Sequence, residues 1–241
     1  MTAKFALDSS LDVRAAGEAF RKTGRAQIIN FLAGDSAESL RDELRDTHGW
    51  RHVINGKDQV FEAASDDYDK LPTATRDALR RAMEAQAAVG FQFSYDTIRL
   101  TDDPLVRSAS TSVLARFGEF MGDSATLAKL QEICGGAEFN FADAQATRYR
   151  AGDFLTRHDD CVAGKHRVAA YVLGLVENWR AEWGGLLTFV DLDGHVVDTL
   201  VPSFNTLCLF NIGQPHFVSP VARYALGSRL AVTGWLRNVP I

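Results

Sequence analysis

Apolar positions recur at helical spacing through much of the first half of the chain and at strand spacing through the second. Leu11, Ala15, Ala19 and Phe20 fall on one face of a helix, with capping side chains in Asp8 to Ser10 and a stop at Gly24. Ala26 to Leu32 is a short apolar run suited to a buried strand. Asp35 and Glu38, three apart, then resemble a capping arrangement for a helix through Leu40 and Leu44. Trp50 to Ile54 and Gln59 to Ala63 flank Asn55-Gly56, the residue pair that a tight hairpin turn favours. Pro72 opens a long Arg/Ala/Glu-rich helix that ends near Gly90, and Phe91, Phe93 and Tyr95 alternate with polar residues as in a half-buried strand. Ser108 to Met121 and Ser124 to Cys134 read as two further helices, the second closed by Gly135-Gly136.

From Glu138 onward the pattern turns to β. Ala144 to Tyr149, Val168 to Leu175, Leu186 to Val190, Val196 to Val201, Thr206 to Ile212 and Leu230 to Leu236 are short runs separated by Gly, Pro, Asn and Asp. This density of strands predicts a sandwich or double-sheet barrel, with the helices buttressing the outside of one sheet. With no repeat, low-complexity tract or linker, the expectation is one domain over 1–241, in which 1–137 is mainly helical support and 138–241 the β core that carries the chemistry.

Composition narrows the partners. The 241 residues are 46% hydrophobic and carry a formal charge of −5, so the chain has no general attraction for phosphate backbones or anionic lipid, and nucleic acid is a disfavoured partner. No uncharged apolar run approaches the roughly eighteen residues of a bilayer span. Met1 to Phe20 contains Lys4, Asp8, Asp12, Arg14 and Glu18 and lacks the apolar core of a signal peptide. Cys134, Cys161 and Cys208 form neither a disulfide framework nor a zinc-finger pattern. A soluble cytoplasmic protein with no membrane partner is the expectation.

Candidate chemistry gathers in the β half, which holds His158, His166, His195 and His216 among six histidines. In Thr156-Arg157-His158-Asp159-Asp160, an H-x-D spacing on extended backbone places His158 and Asp160 on one face while Asp159 points away. A second histidine from a distant strand would complete a facial triad, which leaves positions open on Fe(II), and His216 after the run Leu207 to Ile212 is the candidate. H-x-D alone also matches surface histidines near acids. Arg229, thirteen residues beyond His216 and at the start of a strand, adds weight. On the inner face of a small barrel it would be an uncompensated charge unless a carboxylate met it, held bidentate by the guanidinium. Plainer readings stand beside these: Tyr149 as a core aromatic, His166 and His195 as loop residues, Asp159 as solvated and Cys161 as a small buried hydrophobe. Trp179 and Trp183 suit either core or pocket wall.

Taken in order, these residues resemble a known family. Tyr149-Arg150-Ala151-Gly152-Asp153-Phe154-Leu155, His158-Asp159-Asp160, Arg167, Trp179, Trp183-Gly184-Gly185, His216 and Arg229 leading to Thr233-Gly234-Trp235 look like the prolyl-hydroxylase-like iron(II)/2-oxoglutarate dioxygenases, in the group that includes the ribosomal prolyl hydroxylases. The resemblance covers about ninety residues, Thr147 to Trp235, and implies a double-stranded β-helix core of jelly-roll or cupin type. It implies His158, Asp160 and His216 as iron ligands, Arg229 as the partner of the distal 2-oxoglutarate carboxylate, and Tyr149 as a further contact to that cosubstrate. It also implies Fe(II), 2-oxoglutarate and O2 as the reacting set, with ascorbate as a reductant. The implied reaction hydroxylates an unactivated C–H bond, of a prolyl residue in a protein or peptide, with release of succinate and CO2. Gly174 stands where relatives often carry a tyrosine. The hairpin near Asn55-Gly56, or the segment Gln59 to Leu71, is placed to cover the barrel mouth. A free amino acid or small metabolite as substrate, a zinc hydrolase on the same ligands, and a non-catalytic metal-binding β-sandwich are the alternatives.

Overall fold

A computed structural model describes residues 4–56 and 59–239, so Lys57 and Asp58, next to the Asn55-Gly56 turn, lie outside the described residues. The helices are α1 (Val13–Thr23), α2 (Ser36–Asp46), α3 (Ser65–Lys70), α4 (Thr73–Ala87), α5 (Pro104–Ala109), α6 (Val113–Gly122) and α7 (Ser124–Ile133). The strands of the first half are β1 (Arg25–Ile29), β2 (Arg51–Asn55), β3 (Val60–Ala64) and β4 (Phe93–Arg99). Those of the second half are β5 (Phe141–Ala142), β6 (Gln145–Tyr149), β7 (Phe154–His158), β8 (Arg167–Gly174), β9 (Leu187–Val190), β10 (Val196–Leu200), β11 (Thr206–Asn211), β12 (His216–Val218) and β13 (Arg229–Arg237).

Local chemistry explains most boundaries and corrects some. The α1 helix begins at Val13, because Asp12, not the Asp8–Ser10 stretch, accepts the Ala15 N–H; Asp8 instead binds the N–H and hydroxyl of Ser10 in a separate turn. Gly24 ends it in the left-handed region at φ 68°. Asp35 stands at the N-cap of α2 but makes no side-chain capping bond. The helix expected over Ser108 to Met121 is two helices, since Ser110 leaves helical backbone and Ser112 recaps α6 through the Ala115 N–H. The β4 strand is buried on both faces from Phe93 to Thr97 instead of half-buried, because Phe93 and Tyr95 pack in the barrel interior while Ser94 and Asp96 enter a polar cluster on the other side.

All strand pairs are antiparallel, in the order β1-β11-β8-β13-β6-β4-β7-β12-β9-β10, with β2 and β3 attached through β4 and β5 through β13. The order curls into the expected jelly-roll. The alternation along β8 divides two cores: Ala169, Tyr171 and Leu173 enter the layer packed by α1, α2, α6 and α7, while Ala170 and partly buried Val172 face the barrel interior. Both faces are therefore apolar, and an outer helical layer takes the face that water would otherwise meet.

Candidate active site

His158 is the last residue of β7 and His216 the first of β12, and the two are direct register partners with ring centres 4.1 Å apart. Asp160 joins them through a turn. Its backbone sits in the left-handed region at φ 62°, so the carboxylate is brought back by a reversal of the chain and not by strand alternation, which corrects the extended H-x-D expectation. Oδ1 lies 3.6 Å from His158 Nε2, and Oδ2 lies 3.5 Å from His216 Nε2.

The backbone fixes which nitrogen of each ring faces the carboxylate bare. His158 Nδ1 lies 3.0 Å from the Thr156 carbonyl and His216 Nδ1 2.8 Å from the Gln214 carbonyl. A carbonyl only accepts, so Nδ1 carries the proton in each neutral ring and Nε2 turns its lone pair toward Asp160. Burial, reinforced by the nearby His158, pushes His216 down to about 4, which keeps the ring neutral near pH 7. Two lone pairs and a carboxylate, with ligating atoms within 4.8 Å of one another, repel unless a cation lies between them. Arg167 supports the arrangement: its Nη1 donates to the Asp160 carbonyl at 3.1 Å, and its guanidinium carbon lies 3.5 Å from the centre of the Trp235 ring.

The triad opens onto a pocket of about 370 Å³ whose lining includes all five expected site residues: His158, Asp160, His216, Tyr149 and Arg229. Register builds its floor in rows. Phe210, Ala170 and Trp235 lie side by side across β11, β8 and β13; Cys208, Val172 and Thr233 form the next row, and Thr206, Gly174 and Ala231 the one after. Phe210 packs on His216 at 4.8 Å, which sets the first row under the triad. Arg229 follows Ala231 on the same strand face and is the register partner of Tyr149.

Arg229 is 4% exposed, its Nε has no hydrogen-bond partner, and no carboxylate pairs with it among the described residues. Burial lowers its pKa. Its nearest support is the Tyr149 ring, whose centre lies 5.0 Å from the guanidinium carbon. Tyr149 in turn stacks on Tyr95 at 5.1 Å, and burial raises the pKa of both hydroxyls. Gly185, at φ 64°, lets the chain pass this side chain: a Cβ there would meet Arg229 Cδ at 3.1 Å. A buried guanidinium with an unmet donor fits a carboxylate and little else in a pocket of this size.

Behind Tyr149 lies a polar cluster that sequence patterning does not reveal. Arg148 and Arg150, on either side of Tyr149 and on the opposite strand face, both bind Asp96, through Arg148 Nη2 at 2.7 Å and Arg150 Nε at 3.1 Å. His52 Nδ1 and the Ser65 hydroxyl complete its shell at 2.9 Å each. Burial works to raise the Asp96 pKa, but His52, Arg150 and Arg148 outweigh it and hold the carboxylate below its usual range. It is the strand register that sets Asp96 opposite Arg148.

The remaining candidates fall outside the chemistry. His166, His195 and Asp159 are exposed, as expected of loop residues. Cys161 is exposed at the pocket rim and is not the small buried hydrophobe expected of it, because the chain turns outward after Asp160. Trp179 donates Nε1–H to the Gly184 carbonyl at 2.9 Å and packs against Trp183, away from the pocket lining. At Gly174 a Cβ would collide with the Ser203 carbonyl oxygen. The backbone of the β10–β11 connection thus leaves no room for a side chain at this position, and Tyr171 is turned to the helical side, donating to the Asp143 carbonyl at 2.7 Å.

Known proteins are similar to this chain in sequence over its β half and in fold over nearly its whole length. Residues 144–237 match the family described as the 2OG-Fe(II) oxygenase superfamily. A segment of 100 residues is 35% identical to a mouse (Mus musculus) protein named prolyl 3-hydroxylase OGFOD1, covering 39% of this chain and 18% of that protein. A Pseudomonas putida prolyl-4-hydroxylase superposes with a TM-score of 0.62 at 20% identity, over 95% of this chain and 100% of the other. A Trichoplax adhaerens prolyl hydroxylase, solved with a hypoxia-inducible-factor peptide fragment, gives 0.60 at 17% identity, over 94% and 90%. Over residues 144–237 the chain is thus similar to the 2OG-Fe(II) oxygenases, and its fold is that of the prolyl hydroxylases named here. The match spans less than a fifth of the mouse protein.

Proposed function

We propose that this chain is an Fe(II)- and 2-oxoglutarate-dependent dioxygenase that hydroxylates a prolyl residue of a protein or peptide. The observation that carries the reading is the pairing, in one pocket, of a convergent His158/Asp160/His216 set with a buried guanidinium, Arg229, that pairs with no carboxylate among the described residues. A zinc hydrolase or a structural metal site has no use for that cation at the far end.

When bound, Fe(II) with 2-oxoglutarate and O2 supplies the oxidising power to hydroxylate an unactivated C–H bond, with succinate and CO2 as by-products. The protein's share is binding, orientation and exclusion of water. His158 and His216 offer their Nε2 atoms, with each Nδ1 held by a backbone carbonyl, and Asp160 supplies the charge that selects a divalent cation. Arg229, steadied by Tyr149, takes the distal carboxylate and so sets which end of the oxo acid faces the triad. Phe93, Tyr95, Leu155, Val172 and Val218 line the space between and keep it apolar, which strengthens the ionic contacts at both ends.

For the substrate, the support is the mouse prolyl 3-hydroxylase relative together with the pocket mouth. Phe91 and Val162, each 49% exposed, flank His158 and offer an apolar rim to a small ring such as proline. The test is incubation with Fe(II), 2-oxoglutarate and a library of proline-containing peptides, read by mass spectrometry. Addition of one oxygen to a prolyl residue, matched by stoichiometric succinate, is the expected result. Succinate formation with no peptide modified would move the substrate to a small molecule.

A further inference from the structure

The floor rows end in small side chains, and the space they leave has a consequence for the oxo acid. A second cavity of about 30 Å³ adjoins the main pocket, with which it shares Val172, Leu187 and Arg229. Its other walls include Gly174, Thr206, Cys208, Ala231 and Leu200. Three of these belong to the row Thr206–Gly174–Ala231, and none carries more than a short side chain. The void is built in, because Gly174 cannot gain a side chain without striking Ser203. The Cys208 thiol is an electrostatic neighbour of the guanidinium, and burial pushes it up to about 12, so the wall there is neutral. A space of this size takes roughly one water or one methylene group.

We infer that the site accepts an oxo-diacid one methylene longer than 2-oxoglutarate, with the distal carboxylate still on Arg229 and the added methylene in the cavity bounded by Gly174, Thr206, Cys208 and Ala231. The inference rests on the proposed function and makes that cavity the determinant of oxo-acid length. Where a bulky side chain fills such a cavity the longer chain has nowhere to bend; here it meets Val172, Leu187 and Leu200, which suit a methylene and not a charge.

The experiment is isothermal titration of the Mn(II)-loaded protein with 2-oxoglutarate and, separately, with 2-oxoadipate. The expected result is competitive binding of both, with affinities within about fivefold of one another, since one methylene moved from water into a fitting apolar space shifts affinity only by that order. Ala231→Val and Thr206→Leu fill the cavity, and each is expected to turn the ratio against 2-oxoadipate by roughly tenfold or more. Binding of 2-oxoadipate about fiftyfold or more weaker in the unmodified chain would overturn the inference. So would an unchanged ratio in both filled variants with native near-ultraviolet dichroism. If neither filled variant folds, the ratio in the unmodified chain decides. Failure of both acids to bind while Mn(II) is held would instead overturn the proposed function itself.

Discussion

His158, Asp160, His216 and Arg229 divide the site into an end that wants a cation and an end that wants an anion, and single substitutions should separate the two. His158→Ala or Asp160→Ala is expected to abolish stoichiometric divalent-metal binding while unfolding stays cooperative, because neither residue belongs to the hydrophobic core. Equilibrium dialysis beside a urea transition measures this, and retained one-to-one metal binding would remove that residue from the ligand set. Arg229→Ala should leave metal affinity nearly unchanged and weaken 2-oxoglutarate binding about a hundredfold or more, the size of a lost pair of charge-assisted hydrogen bonds. Collapse of metal binding in that variant would make Arg229 structural. The convergence of these residues on one pocket was legible in the sequence because the residue types stand in uncommon patterns: a histidine two before an aspartate, and an arginine at the head of a strand. The left-handed turn at Asp160 was not legible, since any short loop can supply it.

The elements that hold these residues were harder to read. Both histidines sit on strands of three to five residues, Phe154–His158 and His216–Val218, too short for a hydrophobic period to register, while the long strands β8, β11 and β13 were visible as apolar runs. The break between α5 and α6 was hidden because Ser110 ends one helix and Ser112 caps the next without a proline or glycine to mark it. The alternation around Phe93 and Tyr95 reads as a half-buried strand, yet its polar side is covered too: His52, Asp96 and Arg148 of β2, β4 and β6 meet there, with Asp96 fully buried. Asp96→Ala leaves Arg148 and Arg150 without their shared carboxylate, and a loss of about 3–5 kcal/mol is expected from urea unfolding. A change under about 1 kcal/mol would show the cluster to be a surface-like ion pair.

At the scale of the whole molecule, an outer layer of helices closes one face of the barrel and leaves the opposite end open to the pocket, so stability and chemistry occupy different faces of the same strands. One buried acid links the fold to pH. Burial pushes Asp153 up to about 6, against the opposing pull of His52, the Arg150 N–H and the Ser94 hydroxyl. A carboxyl raised on folding holds its proton between its unfolded and folded values, so its contribution to stability is complete below about 4 and is lost as pH rises through about 6. Asp153→Asn should therefore flatten the stability profile across that window relative to the unmodified chain, by an amount on the order of 1 kcal/mol per pH unit at most. Parallel profiles for the two chains from denaturant midpoints would contradict this.

The central claim is that the triad and Arg229 form one site for Fe(II) and 2-oxoglutarate. Anaerobic titration of the purified protein with Fe(II), followed by 2-oxoglutarate, tests it through the visible charge-transfer absorption of the two held together. The expected result is a band that saturates at one equivalent of each and is lost in both His216→Ala and Arg229→Ala at the same 2-oxoglutarate concentration. Metal binding with no such band in the unmodified chain would contradict the account.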